Sequence, residues 1–176
     1  MRPIILFMSI VFILFGCSSK GYDTLQEAVQ SKWDYPIQVL NQDEENQVVV
    51  YLDKYEDDFQ YVVGLYQFDN NRYSYNHEPS EGHGSSAGRG YPIFVKPVQF
   101  EGVKPILYGA VVTEEHVATN FVIHYTNGQS QEISAKNNTI ITEYPSFITQ
   151  DIHQYFGEMD NVIAYDENGE VIASWR

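Results

Sequence analysis

Two sets of side chains in this chain have types and spacings that chemistry can use. The first is a single thiol: Cys17 is the only cysteine, and it directly follows Gly16. A lone cysteine forms no disulfide within its own chain, so its role lies in reactivity, pairing or modification. The second set is His77, Glu78, Glu81 and His83, two imidazoles and two carboxylates in one short segment. These groups suit Zn²⁺, and a catalytic zinc takes three such ligands with water in the fourth place. Pro79 and Gly82 exclude the helical His-Glu-x-x-His arrangement here. A solvated loop competes with the metal reading. Gly82, Gly84, Gly88 and Gly90 surround Arg89 in the same stretch. Glycine-rich loops cradle phosphate where a strand feeds a helix N-terminus, but a strand is expected to follow here. Asp53, Glu56, Asp57 and Asp58 read as solvated charge in a turn. Asp166-Glu167-Asn168-Gly169-Glu170 lacks the twelve-residue spacing of a calcium loop and reads as a hairpin turn. His116, His124 and His153 are scattered. No enzymatic activity and no cofactor are expected.

Upstream of Cys17 the chain has the parts of an export signal. Met1-Arg2 supplies one positive charge, and an apolar run from Ile4 to Phe15 follows, broken by Ser9. As a helix that run rises about 18 Å, short of a hydrocarbon core about 30 Å thick. A charged start, a short apolar run and a small residue before a cut make a secretory signal. Leu14-Phe15-Gly16-Cys17 resembles the lipobox of bacterial lipoproteins, with an aliphatic residue three before the cysteine and a small one directly before it. Phe15 stands where that family usually has a small or aliphatic residue. The resemblance implies cleavage between Gly16 and Cys17 and a diacylglycerol on the Cys17 sulfur, with further acylation such as palmitate. Two acyl chains hold a protein on a membrane where one does so only marginally. Residues 1–16 are then signal peptide, and residues 17–22 the lipidated N-terminus and tether at the extracytoplasmic face.

Charge narrows the partners. The formal net charge is −14 and the aromatic content 15%. Disordered chains are poor in aromatics, so this chain is expected to fold. A phosphate backbone and an anionic lipid surface both repel such a domain. Nucleic acid is therefore not an expected partner, and the membrane is reached through the lipid alone.

The elements that must position these residues read as α+β, mainly β. Thr24-Leu25-Gln26-Glu27 has the pattern of a capping box. Leu25, Ala28, Val29 and Trp33 recur at helical spacing until Pro36 stops the helix. Strands are expected at 37–40, 47–52, 61–68 and 72–76, with a tight turn at Asp69-Asn70-Asn71. The glycine and proline content of 78–92 predicts a long loop. Further strands are expected at 91–100, 106–112, 121–125 and 130–135. Asn127-Gly128 predicts a type I′ hairpin, repeated at Asn168-Gly169. Residues 140–156 fit either a helix face or a loop. Two units follow: residues 23–97, a helix with a meander and the glycine-rich loop, and residues 98–176, a hairpin-rich part compatible with a small β-sandwich.

Leu107-Tyr108-Gly109-Ala110-Val111-Val112 and the closing Ala164-Tyr165-Asp166-Glu167-Asn168-Gly169-Glu170-Val171-Ile172, with a helix after the lipid-bearing cysteine, resemble uncharacterised small lipoproteins of low-GC Gram-positive bacteria. That likeness implies no activity. The leading expectation is a non-enzymatic interaction or structural module of the cell envelope, with an envelope protein as partner. The alternative is a small-ligand or divalent-metal binder using the loop from His77 to Gly90.

Overall fold

Thr24 begins the first element as the sequence requires. The structure is a computed structural model that describes residues 21–55, 58–84, 92–113, 115–148 and 152–176, without the side chains of residues 58, 79, 81, 83, 84, 153, 154 and 156. The Glu27 amide donates to Thr24 Oγ1 at 3.2 Å and the Thr24 amide to Glu27 Oε2 at 3.1 Å, a complete capping box. The helix, α1, is Leu25–Gln30, shorter than the stripe reaching Trp33. It buries Leu25, Ala28 and Val29. No helix among the described residues is long and apolar enough to cross a membrane.

Among the described residues eleven strands follow in three antiparallel sheets. The first is β1 (Ile37–Asp43), β2 (Val48–Tyr55), β3 (Asp58–Asp69) and β4 (Arg72–Gly84), in chain order. The second holds β5 (Ile93–Val98), β6 (Ile106–Val111) and β9 (Thr139–Glu143), ordered β5-β6-β9. The third holds β7 (Asn120–Tyr125), β8 (Ser130–Ser134), β10 (Met159–Tyr165) and β11 (Val171–Trp175), ordered β11-β10-β7-β8. The division expected at 97/98 falls inside β5, which pairs with β6 from Ile93 to Val98. Residues 140–143, expected in a helix-or-loop stretch, belong to strand β9, and a 3-10 helix runs Ile152–Gly157.

Strand alternation explains the stacking, because successive side chains point to opposite faces. Val49 and Tyr51 pack with α1, while Val48, Val50 and Leu52 meet the second sheet. In that second sheet Phe94, Tyr108 and Ala110 face the first sheet, and Ile93, Val95, Leu107 and Val111 face the third. All six residues of β6 are buried, as a strand covered on both sides must be. The second and third sheets thus pack face to face as the expected sandwich, and the first sheet and α1 extend the stack.

The turns correct two expectations. At Asn127-Gly128 only Gly128 has a positive φ, +81°. The Gly128 amide donates to the Tyr125 carbonyl and the Tyr125 amide to the Gln129 carbonyl, both at 2.9 Å. This is a three-residue loop closed by a glycine bulge, not a type I′ turn; Gly169 does the same at φ +79°. Type I′ geometry occurs instead where two asparagines stand together. Asn70 and Asn71 have φ of +51° and +61°, and Asn137 and Asn138 have +48° and +61°. The second pair carries the chain from β8 to β9, between two sheets, and its amides tie down the surroundings. Asn138 Oδ1 accepts from the Ala118 amide at 2.7 Å, and Asn138 Nδ2 donates to the His116 carbonyl at 3.0 Å. Asn137 Nδ2 donates at 2.7 Å to the carbonyl of Leu40, which sits at the irregularity of β1 between Val39 and Asn41.

The glycine-rich segment is the third correction. Residues 78–84 are not loop but the end of β4. Glu81 to Gly84 pair with Val63 to Gln60, and the register slips between the Leu65 and Val63 partners. The extra residues 77–80 form a bulge on an edge strand, where proline and glycine are tolerated because half the backbone bonds are not required. Residues 85–91 lie outside the described residues.

Candidate functional site

The helix-side face of the first sheet has two ends of different character. At one end the chain enters the fold: the Tyr22 amide donates to the Tyr73 carbonyl at 2.8 Å and the Tyr73 amide to the Tyr22 carbonyl at 2.9 Å. Arg72 pairs with Asp23 beside this bridge. The β3–β4 turn, Asp69 to Arg72, closes that end. The middle is sealed by α1. There Tyr51 and Tyr75 meet at 3.2 Å through their hydroxyls, and Ser80 Oγ hydrogen-bonds the Tyr75 hydroxyl in turn. Gly64 makes this possible. A Cβ at that position would stand 2.5 Å from the Tyr75 hydroxyl and 2.7 Å from Ser80 Oγ. The bulge of β4 aligns Ser80 over Gly64, so the phenol chain is a consequence of the register slip. Burial first of all raises both phenols above their ordinary range, so they remain neutral donors.

The opposite end is open. Register places Ile37, Asp53, Gln60 and Gly84 in one row across the four strands. Asp53 and Tyr55 follow Tyr51 on the same face by the period of two. Tyr35, just beyond α1, donates its hydroxyl to Asp53 Oδ2 at 3.2 Å. Partial burial, then the hydrogen bond and charge of Asp53, raise the Tyr35 phenol, which keeps it a donor to the carboxylate. The Tyr35 and Tyr55 rings lie 5.3 Å apart at 62°, and Tyr55 is 58% exposed. With Phe59 and Gln60 these residues line a groove of about 290 Å³. Phe59 is braced by an edge contact to Tyr61 at 6.0 Å. Trp33 supports Tyr35 from behind at 5.7 Å.

The side chains singled out from sequence do not assemble this groove, with the exception of Asp53. Asp58 opens β3, while Glu56 and Asp57 lie outside the described residues. His77, Glu78, Glu81 and His83 all fall on β4. His77 and Glu78 are exposed, and the His77 ring sets its edge against Trp33 at 4.9 Å and 90°. The side chains of Glu81 and His83 lie outside the described residues. Among the described residues no three His, Cys, Asp or Glu side chains come together as metal ligands. Gly88, Arg89 and Gly90 are likewise outside, as are Gly16 and Cys17. The Asp166 carboxylate accepts from the amides of Asn168 and Glu170, each at 2.9 Å. The Glu170 amide foremost lowers its pKa, so it serves the turn.

Gly84-Ser85-Ser86-Ala87-Gly88 has the spacing of the nucleophile elbow, which needs a strand leading into a helix at the top of an α/β sheet. The strand that precedes it, β4, is instead the edge of an antiparallel sheet, and residues 85–88 lie outside the described residues. Tyr35, Tyr55, Phe59 and Gln60 were missed as a group because their meeting depends on cross-strand register. The visible signal was Tyr-x-Asp-x-Tyr spacing in Tyr51, Asp53 and Tyr55, which puts three polar-tipped side chains on one strand face.

No protein-family model, curated protein or solved structure matches the chain.

Proposed function

We propose that this chain is a lipid-anchored extracytoplasmic lipoprotein, and that its β-rich domain is a non-enzymatic module that contacts another envelope protein through the Tyr35–Asp53–Tyr55 groove. The anchor rests on Leu14-Phe15-Gly16-Cys17. The observation that carries the contact reading is the separation of the groove from the tether. Tyr22 bridges to Tyr73, whose partner on β3 is Phe68, while Gln60 lines the groove at the other end of the same strand. The strand rise makes the distance between them about 26 Å. From Cys17 to Tyr22 the chain reaches no more than about 18 Å. A domain tethered this way holds its tyrosine-rimmed groove away from the lipid and toward what surrounds it. Exposed tyrosines with one apolar face and one polar tip are typical of contact surfaces.

In-cell photo-crosslinking tests the reading. A photoreactive residue replacing Tyr55 is expected to capture a defined envelope protein. The same probe at Val171, 58% exposed on β11, is expected to capture none of it. Equal capture at both positions, or none at either, would overturn the contact reading. The anchor is tested separately with labelled fatty acid: Cys17→Ser is expected to abolish incorporation and leave uncleaved precursor, and normal labelling of that variant would sink it.

A further inference from the structure

We infer that the groove takes a cationic side chain, a lysine or arginine presented by an extracytoplasmic polypeptide. This rests on the groove being a contact surface and adds the chemistry of what enters it. Asp53 is the only carboxylate among the described lining residues, and Tyr35 holds it from one side through Oδ2. A carboxylate fixed in this way keeps acceptor positions for an ammonium or guanidinium donor. Two tyrosine rings, Tyr35 and Tyr55, line the groove with it. Their faces carry negative potential, which attracts a cation in the same space.

The remaining lining residue, Gln60, is neutral, so no basic side chain already occupies the groove among its described lining. The formal charge of −14 adds a long-range field of the same sign. At about 290 Å³ the groove lies at the small end of ligand sites, which run from roughly 300 to 1,000 Å³, a size that suits one inserted side chain.

The test uses the full lipidated protein in detergent micelles. Saturation-transfer NMR would compare the peptide acetyl-Gly-Gly-Lys-Gly-Gly-amide with its norleucine counterpart, which keeps the alkyl chain and lacks the charge, and with diacetylchitobiose. The lysine peptide is expected to bind at least tenfold more tightly than the norleucine peptide, and to weaken as salt rises. Asp53→Asn is expected to remove that preference, and Tyr35→Phe to weaken it, with unfolding temperatures recorded for both. Equal binding of the two peptides, no binding of either, or a preference that survives Asp53→Asn would overturn the proposal. Binding of the chitobiose in place of the lysine peptide would overturn it in favour of a glycan. A partner crosslinked at position 55 without any lysine preference would leave the contact reading standing and remove only this inference.

Discussion

The middle and the far end of one sheet face use the same residue type in opposite ways. Under α1, Tyr51 and Tyr75 turn their hydroxyls toward each other and Ser80, and both rings are buried. Beyond α1, Tyr35 turns its hydroxyl to Asp53 and Tyr55 stands largely in solvent. Both are reached by following β2 two residues at a time, from Tyr51 to Asp53 to Tyr55. What separates them is cover. A phenol under a helix has only other buried groups to bond with, and its desolvation is offset there by hydroxyl partners. A phenol beside a half-buried carboxylate at the open end retains ring surface, and the carboxylate acceptor capacity, for something outside the molecule. The comparison teaches that a tyrosine-rich strand is not uniformly core or contact surface; the length of the covering helix decides.

Three substitutions would break or sharpen this contrast. The largest effect is expected from Tyr51→Ala, which empties a fully buried ring and leaves Tyr75 short of a partner. Loss of a large core side chain costs about 3–5 kcal/mol, readable as a shifted urea midpoint. A cost under about 1 kcal/mol, the range of mild substitutions, would mean the covered end is not core. Gly64→Ala should come next, because its Cβ meets the Tyr75 hydroxyl and Ser80 Oγ at 2.5 and 2.7 Å. Overpacking of this kind costs about 1–3 kcal/mol, and tyrosine fluorescence should report the displaced ring. A neutral Gly64→Ala would show that Ser80 does not lie over the strand. Tyr55→Ala is expected to move stability least, within about 0.5 kcal/mol, since that ring is 58% exposed. A large destabilisation there would make Tyr55 structural and take away the contrast.

Much of the local architecture was legible from residue order. Thr24 and Glu27 announce the cap because their side chains satisfy amides three residues away. The strands of the third sheet follow from their alternation, as in Asn120–Tyr125, where burial alternates residue by residue. The double burial of β6 was legible only as an apolar run around Gly109. Turn chemistry was readable as to place but not type. Asn127-Gly128 and Asn168-Gly169 were assigned two positive φ angles and use one, because a loop one residue longer lets glycine alone absorb the left-handed conformation. Glu78 to Gly84 read as loop because proline and glycine weaken an isolated strand. The edge position and the bulge against Gly64 remove that penalty.

The sequence by itself determined the elements whose causes are local: the capping box, the hairpin positions, the alternating strands, the lone cysteine with its preceding apolar run, and a charge of −14. Only the tertiary structure decided which of these meet. Asn137 reaches the Leu40 carbonyl, and Tyr35 reaches Asp53, through contacts between elements. Such contacts depend on register and on sheet stacking, which integrate burial over the whole chain. A one-residue slip between β2 and β3 would send Gln60 to the other face and dissolve the groove, while leaving every local pattern in the sequence unchanged.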